Sequence, residues 1–115
     1  MGVYYNASLA WGLRIPQTPA LIGEDLTDVY DIPAGYMYSV GGDEVNGENI
    51  AYVVHPVGAC TSILDTGGFR EEGFGVYSVQ EIYNPAQEQA DALVVLARQN
   101  GLDEDIGWFA ISSVG

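Results

Sequence analysis

The segment from Asn84 to Gly101 constrains this chain most, because it carries the marks of one amphipathic helix with both ends defined. Asn84 suits the N-cap. Pro85 suits the first helical position, where its missing N–H costs nothing. Gln87 stands three residues after Asn84 and can complete a capping box. Ala86, Ala90, Leu93, Val94 and Ala97 recur at helical spacing and form an apolar face, while Glu88, Asp91, Arg98 and Gln99 lie away from it. Gly101 supplies a left-handed stop, and Leu102 the apolar contact of a Schellman motif. Strand-like segments flank the helix, Phe74–Ile82 before it and Trp108–Val114 after it. Its apolar face must therefore bury against a sheet.

The clearest strand is Val3–Ile15. Val3, Tyr5, Ala7, Leu9, Trp11, Leu13 and Ile15 alternate without a break against Tyr4, Asn6, Ser8, Ala10, Gly12 and Arg14. The second set is small and mixed, which leaves room for cover on that side too. Pro16 and Pro19 end the strand. Thr18–Ile32 reads as an acidic loop with one or two helical turns, bearing Ile22, Leu26, Val29 and Tyr30 and closed by Pro33. Tyr36–Val57 reads as a hairpin about Asn46-Gly47, a type I′ turn dipeptide. That centre sets Val45 opposite Glu48 and Val40 opposite Val53, with a bulge at Gly41-Gly42. Ala59–Leu64 reads as a further short strand. A helical crossover joins parallel strands, whereas a hairpin is antiparallel. The expected fold is α+β: a mixed, mostly antiparallel sheet of about five strands with one amphipathic helix packed on one face. Residues 1–115 form a single domain in this reading, and the long first strand lies between the strands that flank the helix.

Charge narrows the function. Sixteen acids stand against three arginines, with no lysine, for a net charge of −13. Phosphate binding needs Lys and Arg, so direct nucleic-acid binding is excluded and an anionic membrane surface disfavoured. No stretch approaches the ~20 apolar residues of a membrane span, and the N-terminus lacks the pattern of a signal peptide. Cys60 is the sole cysteine, so no internal disulfide can form, which fits a reducing cytoplasm. The expected partner is a basic protein. The expected contact residues are Glu24, Asp25 and Asp28, then Asp43, Glu44 and Glu48, then Asp103, Glu104 and Asp105. Eight tyrosines and two tryptophans serve either a small β-rich core or a partner surface, and a homodimer is one such partner.

Catalytic and metal motifs are short. Asp65-Thr66-Gly67 after Ile63-Leu64 looks like the signature of aspartic proteases, which in so short a chain requires a homodimer. A Gly-Gly turn with Asp65 bonding its own backbone is the preferred reading. His55 and Cys60 are the residue types of a base and a thiol nucleophile, yet their spacing specifies nothing. His55 before Pro56 reads as the hairpin's end, and Cys60 as a small core residue. Asp43, Glu44, Asn46 and Glu48, or Asp103–Asp105, offer oxygen ligands for Ca²⁺ without the EF-hand pattern, and solvated acidic turns are preferred. Gly41-Gly42 and Gly67-Gly68 lack the following lysine of a phosphate loop. No catalytic residue, metal ligand or cofactor is assigned.

The opening Met1-Gly2-Val3-Tyr4-Tyr5-Asn6-Ala7-Ser8-Leu9-Ala10-Trp11-Gly12 resembles the start of small uncharacterised bacteriophage proteins. Gly107-Trp108-Phe109-Ala110-Ile111-Ser112-Ser113, after a single helix, resembles their close. The likeness implies a small phage-encoded protein of the host cytoplasm and carries over no functional residues. Small acidic phage proteins act on host or rival proteins, some by presenting carboxylates where DNA phosphates would sit. The expected function is thus non-enzymatic binding, as an inhibitor or DNA mimic acting on a basic host protein. Two alternatives stand beside it: an acidic salt-adapted or structural protein without a charge-specific partner, and a dimeric aspartic protease using Asp65.

Overall fold

The computed structural model describes residues 5–43, 48–62 and 78–114. Its elements in chain order are strand β1 (Tyr5–Pro16), a 3-10 turn (Pro19–Leu21), helix α1 (Leu26–Val29), strands β2 (Tyr36–Asp43), β3 (Glu48–Pro56) and β4 (Cys60–Ser62), helices α2 (Val79–Ile82) and α3 (Gln87–Gln99), and strand β5 (Ile106–Val114). The fold is α+β, with five mostly antiparallel strands in one sheet.

The long alternating strand is the axis. One edge of β1 pairs with β5 from Tyr5↔Val114 to Leu13↔Ile106. The other edge takes β4 at Ser8–Ala10 and then β3 at Leu13–Pro16. Gly12 lies where β1 passes from one partner to the other, and a Cβ there would stand 2.1 Å from the Val54 carbonyl oxygen. Strand β3 also pairs with β2, and β2 returns to β5 through the parallel pairs Gly42↔Ser113 and Asp43↔Val114. The pairings β1–β3–β2–β5–β1 thus close a ring, with β4 outside it.

Each face of this sheet carries a cluster. Trp11, Leu13 and Ile15 of β1 join Tyr52 and Val54, Leu21 and Leu26, and Leu93, Leu96 and Ala97 of α3. Leu13, Leu26 and Leu93 are fully buried, each stabilising the fold by roughly 1.5–3 kcal/mol. On the other face Ala10, Val53 and Ile111 pack with Cys60 and Phe109. The small second face of β1 is indeed covered: Ala10 is fully buried. Trp11, Tyr30, Tyr36, Tyr38, Tyr52, Tyr83 and Trp108 serve the first cluster. Trp11 stacks on Tyr83 at 6.5 Å, Tyr38 meets Tyr52 edge-on at 5.9 Å, and Tyr30, Tyr36 and Trp108 pack against the same residues.

Helix α3 ends as its sequence reads. Gly101 has φ +66°, and the Leu102 N–H donates to the Ala97 carbonyl at 2.8 Å. Its start differs: Ala86, not Asn84, is the N-cap. Gln89 Oε1 accepts from the Ala86 N–H at 3.0 Å and from the Tyr83 hydroxyl at 2.8 Å, so Gln89 does the capping expected of Gln87. Pro85 also holds the preceding Asn84 away from helical geometry. Leu96 joins the core where Val94 was expected and Val94 is half-buried.

Three further expectations are corrected. The strand expected over Phe74–Ile82 is helical at Val79–Ile82, and residues 74–77 lie outside those described. A full capping box at Ser78 and Glu81 outweighs the strand propensity of this segment. Among the described residues the parallel pair is β2 with β5 rather than the two strands expected to flank the helix. The hairpin register is shifted by one, with Val40 opposite Tyr52 and Ser39 opposite Val53. The irregularity between Gly41 and Asp43, with Gly42 at φ +124° and Asn49 at φ +57°, absorbs the shift. In the acidic loop, Leu21 and Leu26 face the core, while Ile22 is 67% exposed.

Candidate functional site

Most described acids ride on the helical layer. The 3-10 turn, α1 and α3 bury Leu21, Leu26, Leu93 and Leu96 against β1 and β3. Their polar residues therefore face outward. Glu24, Asp25, Asp28, Asp31, Glu81, Glu88 and Asp91 are exposed there, and Asp103 and Glu104 in the connector to β5.

These carboxylates divide by what they touch. Asp25 caps α1: its Oδ1 accepts from the Thr27 hydroxyl at 2.7 Å, the Thr27 N–H at 2.9 Å and the Tyr38 hydroxyl at 3.1 Å. The Thr27 hydroxyl first, then the Thr27 N–H and the Tyr38 hydroxyl, hold this carboxyl below its usual pKa of 3.8. Burial, and then the bond to Asp25, raise the Tyr38 phenol. Glu104 accepts from Arg98 Nε at 3.0 Å, and Asp105 from Arg14 Nε at 2.8 Å. Among the described residues, the carboxylates of Glu24, Asp28, Asp31, Glu88 and Asp103 have no hydrogen-bond or ion-pair partner.

The expected contact residues thus separate. Glu24, Asp28 and Asp103 present carboxylates with no partner among the described residues, whereas Asp25, Glu104 and Asp105 are engaged within the fold. Asp43 is half-buried with an interaction of its own, Glu48 is placed opposite it, and Glu44 lies outside the described residues. Asp31 and Glu88 join the first set. Their signal was in the sequence: Asp31 belongs to the acidic loop, and Glu88 lies off the apolar face of the helix.

The opposite face is different in kind. Arg14, Gly41, Gly42, Asn49, Ala51 and Phe109 border a cavity of about 250 Å³, with the Arg14 guanidinium 5.4 Å from the centre of the Phe109 ring. Beyond it lies a polar chain in the second core. The ring of His55, 1% exposed, bonds through Nδ1 to the Pro56 carbonyl at 3.0 Å and through Nε2 to Ser39 Oγ at 2.9 Å. Ser39 Oγ lies 3.8 Å from Cys60 Sγ. His55 and Cys60 are therefore linked, though through a serine the sequence did not single out. The shifted hairpin register explains why: a slip of one residue turns Ser39 to the face that carries Val53 and His55.

Asp65-Thr66-Gly67 lies outside the described residues. Among the described residues no cluster of His, Cys, Asp or Glu is arranged to hold a metal ion, and no helix is long and apolar enough to cross a membrane. In comparison with known proteins the chain matches no family model, no curated protein and no solved structure.

Proposed function

We propose that this chain is a small acidic non-enzymatic binding protein whose helical layer engages a basic partner, as an inhibitor that presents carboxylates where nucleic-acid phosphates would lie. The observation that supports it is the sorting of charge. Both described arginines are held by carboxylates, while the carboxylates of Glu24, Asp28, Asp31, Glu88 and Asp103 on the outer layer have no partner among the described residues. Unpaired surface carboxylates steer a basic partner and set its on-rate more than its final affinity. The resemblance of both chain ends to small phage proteins supports a basic host protein as that partner and the host cytoplasm as the place.

The test is capture by tagged protein from a bacterial lysate at low and high salt, with duplex DNA as competitor. A nucleic-acid-binding protein recovered at low salt, and displaced by DNA, is the expected result. Its loss when Glu24, Asp28, Asp31 and Asp103 are changed together to their amides would place the contact on this layer. Binding indifferent to salt and to those changes would refute the reading. Unfolding in dilute buffer with rescue by molar KCl would instead favour salt adaptation.

A further inference from the structure

The polar chain in the second core is independent of the acidic surface and has a polarity of its own. A backbone carbonyl only accepts, so the contact with Pro56 requires the proton of His55 on Nδ1. The Nε2 lone pair then faces Ser39, whose hydroxyl must be the donor across the 2.9 Å contact. The nucleophile-to-base distance is within the range for proton transfer, and a third group orients the base. The ring is also held in place. Gly12, which lacks a Cβ, lets β1 pass against His55: an added Cβ would be 3.0 Å from the His55 Cβ. The imidazole is 1% exposed, whereas Ser39 is half-buried. Cys60 ends the chain: its Sγ lies 3.8 Å from Ser39 Oγ, a second and weaker acceptor for the same serine proton.

We infer that Ser39 is a nucleophile activated by His55, an acceptor site for small activated carboxylic or phosphoric acid derivatives. With an activated ester, Ser39 Oγ forms a bond to the carbonyl carbon and its proton passes to His55 Nε2. The tetrahedral adduct collapses, the bond to the leaving oxygen breaks, and that oxygen takes the proton from Nε2. Acyl-Ser39 and an alcohol result, and His55 returns to its starting tautomer. With a fluorophosphate, the Oγ–phosphorus bond forms as the phosphorus–fluorine bond breaks, fluoride leaves, and the serine proton passes to Nε2 and from there to water.

The test uses diisopropyl fluorophosphate on the full-length folded protein, read by intact mass and peptide mapping. One adduct on Ser39 is expected, absent in Ser39→Ala and formed at least about 100-fold more slowly in His55→Gln, the scale of base assistance. Loss of labelling in urea would show that the folded geometry is responsible. Nitrogen NMR of the unmodified protein provides a reading that needs no variant, and it should find the His55 proton on Nδ1. No adduct on the folded protein, an adduct on a tyrosine instead, an undiminished rate in folded His55→Gln, or a proton on Nε2 would each overturn the inference.

Discussion

At the scale of single residues, two glycines of facing strands make a controlled comparison. Gly12 and Gly107 are paired across β1 and β5, yet a Cβ on Gly12 would meet the Val54 carbonyl oxygen at 2.1 Å while one on Gly107 would meet nothing. Backbone cannot yield as a side chain does. Gly12→Ala should therefore lower stability by about 3 kcal/mol in urea unfolding, and Gly107→Ala should stay within about 0.5 kcal/mol. Equal effects would mean that β1 and β3 are not so closely apposed. Asp25 gives a pH signature. Its folded pKa lies below 3.8, so its contribution is full above that value and is lost as pH falls through the lowered one. Asp25→Ala should lower the thermal midpoint at pH 7, and the gap from the parent protein should narrow steadily below about pH 4. A gap independent of pH would deny the carboxylate its capping role. The acidity of Asp25 was plain in the sequence, but its bond to Tyr38 was not, because it depends on how α1 docks against β2.

At the scale of elements, signals contained within a few residues were legible, and those set by pairing were not. The C-terminus of α3 is local: Gly101 at φ +66° follows from the need for a left-handed residue after the last turn. Gly101→Ala should cost about 1 kcal/mol in urea unfolding, with Gly101→Asn costing less, since asparagine tolerates that region better. If both cost nothing, the Schellman motif is not what ends the helix. Burial by α3 is a separate test: Leu93→Ala, at a fully buried site, should cost about 2–5 kcal/mol. The start of α3 was misplaced because Gln89 and Tyr83 cap it from outside the pattern read. The bulge expected at Gly41-Gly42 is there, but the pairing counted from Asn46-Gly47 did not carry the one-residue shift that Gly42 and Asn49, both at positive φ, introduce. That one slip also hid Ser39 from any sequence reading of His55 and Cys60.

At the scale of the whole molecule, the net charge of −13 sets carboxylates against one another, and position decides what each contributes. The layer that buries α1 and α3 could be read from the apolar spacing of the helix, and the surplus of acid from composition. Which acids are spent on arginines could not, because Arg14 and Asp105 meet only when β1 and the connector before β5 come together. The distinction has a measurable consequence. Asp103 has no partner among the described residues, so Asp103→Asn should raise the thermal midpoint at low ionic strength by relieving repulsion. The neighbouring change Glu104→Gln releases Arg98, and should leave the midpoint unchanged or lower it. Both differences should shrink as salt approaches about 0.5 M, where exposed charges more than a few ångström apart no longer sense one another. If Asp103→Asn lowers the midpoint instead, the carboxylate belongs to the fold and should be removed from the proposed binding surface. A gain in stability would mean that folding does not require this charge. Weaker capture of a basic partner by the same variant would then supply its purpose, because a residue that opposes folding but promotes binding is held for the partner.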